Sequence, residues 1–417
     1  MKITNSSNNL IGQFVKNKCI QHSNKLTNNT KAIVTHLFLQ MVSGVSAVNV
    51  AKGKLTVKNI ENASKIPKPQ TITYDAIPSQ IRKQIDDHIV SSITYTFDIF
   101  KRKITIIFLL EEEATNKVIK TYNEYVKNML VWLYIVDQHA SNKCSNNLTV
   151  FLYHTSLKKM LPNLEGIVLN ENHVNTAFTK TCPVNTKSEI VVFRKEEWFK
   201  VFIHETFHNF GLDFSGSNLS KCNSKILSIF PVNSNVNLYE SYTEFWARLI
   251  NVMFCCYANM KNKTSTTEFI SWFQFLMDAE RSYSLFQMVK ILKFMKLNYK
   301  LLHEQTNKAQ ELRNSLYKED TSVLSYYIIG GILMYNYQDL LVWCDSNNDL
   351  LLCFKKTATN LNKYCEFIER KYKTKQLNDA INCVTNMYNK LDNIKFKLTK
   401  NEKYIAENTR MTLCELG

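Results

Sequence analysis

His204-Glu205-Thr206-Phe207-His208 places two imidazoles four residues apart inside the apolar run from Trp198 to Phe210. In a helix, residues at that spacing project from one face, so two ring nitrogens can reach one cation at about 2.0–2.1 Å. Phe199, Ile203, Phe207 and Phe210 form a separate apolar stripe that anchors such a helix, and Gly211 stands where a left-handed terminating residue belongs. With 9 His in 417 residues, chance produces two histidines with this intervening glutamate only about 0.01 times in the chain. The segment therefore reads as a buried helix with one face reserved for a metal ion. A pair of satisfied core histidines is the bland alternative.

A catalytic zinc takes three protein ligands and leaves a position open for water, so a third donor is expected downstream. A histidine three residues beyond Gly211 would complete one known pattern, but Phe214 stands there and Asp213 lies one place early. The stretch from Tyr239 to Arg248 offers a better answer, because Glu240 and Glu244 share one face of a second helix. Glu240 is the expected third ligand. Glu244, a turn further on, is expected to accept a hydrogen bond from the far ring nitrogen of a ligating histidine, which fixes its tautomer. Asp213 remains a minor alternative as ligand, and a solvated acidic face is the structural alternative for the glutamate pair. Glu205, next to His204, is the expected general base, drawing a proton from water at the metal. Tyr239, Tyr242 and Arg248 are near enough in sequence to nominate as stabilisers of developing negative charge, and nothing in the sequence selects among them.

HETFH followed by a helix bearing Glu-x-x-x-Glu resembles the gluzincin group of zinc metallopeptidases, which includes thermolysin and the anthrax lethal factor catalytic domain. The resemblance covers about 170 residues. It implies His204, His208 and Glu240 as zinc ligands, Glu205 as general base and Glu244 behind a histidine. Asn175-Thr176-Ala177-Phe178 also resembles the edge strand by which such enzymes hold a peptide backbone, which marks Asn175, Ala177 and Phe178 as substrate-binding residues. The gap from His208 to Glu240 is longer than thermolysin's, so that enzyme's lower domain is not carried over. The context from Arg194 to Lys200, with the Asn- and Lys-rich composition, is similar to uncharacterised proteins of large cytoplasmic DNA viruses.

Hydrophobic residues make up 45% and charged residues 21%, values of a folded globular chain. The formal charge of +16 admits nonspecific nucleic-acid contact, but the cations are scattered and no nucleic-acid motif accompanies them. The 11 cysteines lack paired metal-ligand spacing and, with a polar first thirty residues and no apolar leader, read as reduced, mostly buried thiols. A cytoplasmic location is expected, in the host or the virion if the chain is viral. The apolar stretches His36–Ala51 and Val323–Tyr337 fall short of the roughly 20 residues a spanning helix needs and read as core helices, so no membrane span is expected.

The expected fold class is α+β. Residues 1–75 read as a partly disordered N-terminal segment, 76–260 as a zincin-like metallopeptidase core, and 261–417 as a helical C-terminal region. Within the core, alternation at Ile93, Tyr95, Phe97 and Ile99, a turn at Lys101-Arg102-Lys103, and alternation from Ile104 to Leu110 predict a hairpin. A long amphipathic helix follows from Ala114 to about His139, then a strand at Leu148–His154, an edge segment at Val174–Thr179 and a strand at Glu189–Arg194. That order predicts one sheet with two helices on one face. Helices are expected at Glu268–Leu297, Ser322–Cys344 and Lys355–Arg370. His303-Glu304 begins like the metal motif, but Asn307 replaces the second histidine. Gly330-Gly331 lacks phosphate-loop spacing and reads as a helix-packing pair. The sequence thus points to a zinc metalloendopeptidase acting on polypeptide, with a catalytically idle scaffold or a basic nucleic-acid- or virion-associated binding protein as the competing reading. The oligomeric state is not encoded in any of these features.

Overall fold

The computed structural model describes residues 2–20, 25–164, 166–184, 187–393 and 398–417. The chain opens with helices α1 (Asn5–Lys16) and α2 (Asn28–Asn49), each started by a threonine side chain accepting a backbone N–H, Thr4 and Thr27. The N-terminal residues expected to be loose thus include α1, whose Leu10 and Phe14 are buried. Phe14 meets Tyr283 and Phe286 edge-on, so tertiary packing holds a segment whose own composition gives little hint of order. Residues 1 and 21–24 of that expectation lie outside the described residues. α2 is the one helix among those described that is long and apolar enough to cross a membrane. It packs along α4 and two C-terminal helices.

Six strands form one mixed sheet in the order β1-β2-β3-β4-β6-β5. They are β1 (Gly53–Asn59), β2 (Ser91–Ile99), β3 (Arg102–Leu110), β4 (Asn147–His154), β5 (Ala177–Thr179) and β6 (Lys187–Val192). β3, β4 and β6 run parallel; β1, β2 and β5 pair antiparallel with their neighbours. The hairpin turns at Phe100-Lys101, both at φ +55°, rather than at Lys101-Arg102-Lys103. Two consecutive left-handed residues match the right-handed twist of the strands they join. β1 has no counterpart in the sequence reading. Almost every side chain on it is exposed, so neither alternation nor an apolar run marks it.

α3 (Ser79–His88) precedes the hairpin, α4 (Asn116–Asp137) joins β3 to β4, and the short α5 (Glu171–Val174) leads into β5. Alternation divides the strand side chains between the two faces. Ile104, Ile106, Phe108, Val150, Leu152, Ile190 and Val192 face the main core with α4 and the histidine helix α6 (Trp198–Asn209). Leu109, Phe151, Tyr153, Val191 and Phe193 face the other way, against Ile81 and Ile85 of α3 and Ile66 and Ile77 before it. Both faces are therefore covered, not one.

Beyond α6 the chain is helical: α7 (Ser220–Ile229), α8 (Leu238–Asn259), α9 (Thr266–Phe294), α10 (Tyr299–His303), α11 (Asn307–Leu316), α12 (Gly330–Tyr335), α13 (Tyr337–Asn347), α14 (Ala358–Lys371), α15 (Lys375–Asn393) and α16 (Lys400–Glu407). The predicted helix Ser322–Cys344 is in three pieces, a π-helical turn at Leu324–Ile329 running into α12, and then α13 after Asn336. Gly331 lies against Met288 of α9, where any side chain would displace it. The last ten residues form no helix, yet 408–414 are buried and the end of the chain pairs with its beginning through Lys2 and Gly417.

Candidate metal centre

Every residue of α6 is buried, so this helix has no solvated side and is held from all directions. Phe207 stacks on Trp132 of α4 and Trp246 of α8, with ring centroids 5.9 and 6.4 Å away. Thr206 accepts the Trp132 indole N–H at 2.7 Å. Asn209 accepts from Ser145 and Ser188 and donates to Thr179 at 2.8 Å, tying the helix end to the sheet. Gly211 follows at φ +67° beside the Cys144–Cys182 disulfide. That bond corrects the reading of all cysteines as reduced, since nothing in the spacing of Cys144 and Cys182 announces that the loops carrying them meet.

The three expected ligands converge. His204 Nε2 and His208 Nε2 are 3.1 Å apart, and Glu240 Oε2 lies 3.0 and 3.3 Å from them. Donor atoms of His204, His208 and Glu240 all fall within 4.8 Å of one another, so the cluster could hold a metal ion. Burial alone would disfavour charge on both imidazoles, but hydrogen bonds and the carboxylates outweigh it. Glu240 and Glu244 raise His204; Asp213 and Glu240 raise His208 further. The same histidines hold Glu240 well below the ordinary carboxylate range despite its burial. A site that so favours positive charge at its centre is electrostatically suited to a cation.

The outward ring nitrogens are both held. His204 Nδ1 is 3.1 Å from Glu244 Oε2, the position expected for Glu244. His208 Nδ1 is bonded to Asp213, whose other oxygen accepts from Ser215 N and Oγ at 3.0 and 2.7 Å. Asp213 therefore lies behind a histidine, not among the converging donors. Lys200, one turn before His204, clamps both oxygens of Glu244 at 3.0 and 3.1 Å. Sequence reasoning passed over Lys200, although its four-residue spacing from His204 put it on the same face.

Glu205 is 6% exposed and takes no hydrogen bond from any described residue. Burial raises it above the usual carboxylate range, with His204 and His208 pulling the other way. Its side chain borders a pocket that also touches Asn175, Thr176, Ala177, Lys200, Tyr326 and Met411. Ala177 thus reaches the pocket from the edge strand, and Asn175 from the end of α5 just before it. The Phe178 side chain does not, because the next residue along a strand faces the opposite way; it packs near Phe193 at 6.1 Å.

Of the three nominated charge stabilisers, two lie elsewhere. Arg248 is paired with Glu280 at 3.0 Å, and the Tyr242 hydroxyl donates to Leu352 O at 3.2 Å while accepting from Asn348 at 2.8 Å. Tyr239 sits at the site, its ring edge-on to His208 at 5.8 Å. The residue that sequence missed is Tyr326, in the π-helical turn: its ring is 6.0 Å from that of His204 and its side chain lies beside Glu240. No local motif announces it.

No protein-family model matches this chain, and no solved structure does. A stretch of 119 residues is 30% identical to an uncharacterised protein of Acanthamoeba polyphaga mimivirus. It covers 28% of this chain and 29% of that protein's length, a likeness consistent with a giant-virus origin.

Proposed function

We propose that the chain is a zinc metalloendopeptidase with a zincin-like core, His204, His208 and Glu240 holding the metal. The observation that carries this reading is the unpartnered, buried Glu205 carboxylate beside a His-His-Glu donor cluster in a pocket bordered by an edge strand. Two imidazoles and one carboxylate are the donor set of catalytic zinc; thiolate sets suit other roles and all-oxygen sets suit magnesium or calcium.

Zinc, when bound, supplies a positive charge that acidifies water and polarises a carbonyl. Glu205, committed to no other hydrogen bond, takes the water's proton and delivers it to the departing amine. Glu244 and Asp213 fix the two imidazoles with their inner nitrogens aimed at one point. Tyr326 donates its hydroxyl to the carbonyl oxygen as negative charge develops there. Substrate backbone adds along β5, the last strand of the sheet, as a further strand. A host-cytoplasmic or virion setting fits this reading, and the basic surface adds nonspecific nucleic-acid contact.

The test pairs metal analysis with hydrolysis. Protein reconstituted with zinc and desalted should retain one equivalent, and it should cleave a denatured protein mixture in a chelator-sensitive manner. Glu205→Gln should keep the metal and lose cleavage. Protein that retains no zinc ends the proposal. Equal behaviour of wild type and Glu205→Gln supports the idle-scaffold reading instead.

A further inference from the structure

Eight of the 11 cysteines meet in pairs that are remote in sequence. Cys144 and Cys182 are bonded. Cys19, just after α1, and Cys383 on α15 bring their sulfurs to 2.7 Å across a separation of 364 residues. Cys222 of α7 lies beside Cys365 of α14, two helices packed side by side. Cys255 of α8 lies beside Cys414 of the buried C-terminal tail, where Asn251, one turn earlier, donates to Cys414 O at 2.6 Å. Independent placement of eight thiols would leave most of them beside some other side chain.

We infer that the mature protein carries four disulfides, Cys144–Cys182, Cys19–Cys383, Cys222–Cys365 and Cys255–Cys414, with Cys256, Cys344 and Cys353 remaining thiols. The arrangement has a mechanical logic. Two bridges fasten the ends of the chain, Cys19 to α15 and Cys414 to α8. One lies next to the metal centre, because Cys182 N bonds His208 O at 3.1 Å. Each bridge removes conformations from the unfolded chain, most strongly where the closed loop is long.

Each bond forms by exchange with a disulfide oxidant such as oxidised glutathione. One cysteine thiolate attacks the oxidant, giving a mixed disulfide and releasing one glutathione thiolate. The partner cysteine, losing its proton, attacks the protein-side sulfur and releases the second. Two protein thiols thus give up two protons, and two electrons pass to the oxidant's sulfur pair.

The experiment is thiol counting on the full chain folded in a glutathione redox buffer containing the oxidised form. After acid quenching and denaturation, alkylation without reductant should label three cysteines, and with reductant all 11. Peptide mapping should recover the four named cross-links. Cys19→Ser should raise the unreduced count to four, with Cys383 as the new labelled site. Five or more labelled thiols in the unsubstituted protein overturn the inference, since every missing bridge exposes two. Cross-links joining other cysteines overturn it equally.

Discussion

Lys200 Nζ lies 3.0 and 3.1 Å from the two oxygens of Glu244, and the two side chains are only 3% and 1% exposed. The pair stands directly behind His204, so the charge on Glu244 that holds the imidazole is itself held by a lysine on the same helix. Lys200→Met should strip the buried Glu244 carboxylate of its closest cation, leaving it to His204, and destabilise the protein by about 3–5 kcal/mol. Urea unfolding measures it. Adding Glu244→Gln to Lys200→Met should recover part of the loss, and a single variant as stable as wild type would show that the pair is not coupled to folding.

Asp213 holds His208 from behind, and its replacement separates support from ligation. Asp213→Asn should weaken metal affinity by about 10–100-fold, the usual effect of removing a group that orients a ligand. Glu240→Gln should weaken it much further. Competition against a chromogenic chelator ranks the two, and equal losses would restore Asp213 as a ligand.

Tyr326→Phe removes one hydroxyl from the pocket while keeping the ring that packs near His204. If that hydroxyl stabilises developing charge, kcat on a peptide substrate should fall about 10²–10³-fold with KM and zinc content little changed. A variant with full kcat would return the role to Tyr239, which stands on the other side beside His208.

Glu319 carries the pH prediction. Burial pushes its carboxyl up to about 7, against hydrogen bonds that include one from Leu324 N at 2.9 Å. A folded-state value above the unfolded one means its contribution is fully present below the unfolded pKa, near 4.3, and is lost as pH rises through about 7. Glu319→Gln should therefore gain Tm relative to wild type between pH 5 and pH 8. Thermal scans at the two pH values check it; a difference that stays constant or reverses would refute it.

Gly211 ends α6 at φ +67°, and an added Cβ would sit 3.2 Å from Cys182 Cβ. Gly211→Ala should cost about 1–2 kcal/mol for the left-handed backbone. Gly216→Ala, where nothing lies within 4 Å, serves as the near-neutral control in the same denaturant series.

The sequence by itself determined which side chains share a face. Helical spacing put His204 and His208 together, and Glu240 and Glu244 together, because neighbours along a helix are fixed by its 3.6-residue period before any tertiary contact forms. Period-two alternation likewise marked the hairpin of β2 and β3. β1 stayed invisible, since a strand exposed on both faces carries no such signature.

Only the tertiary structure decided what those faces meet. It set the α6–α8 approach that gathers His204, His208 and Glu240, put Asp213 behind His208, brought Tyr326 to Glu240 and closed Cys144 on Cys182. It also sent Tyr242 and Arg248 away from the pocket to Leu352 and Glu280. Apart from Asp213 and His208, five residues apart, such encounters join positions tens of residues or more from one another, and they follow from how whole helices pack into one buried core. Local period in the sequence does not carry that information.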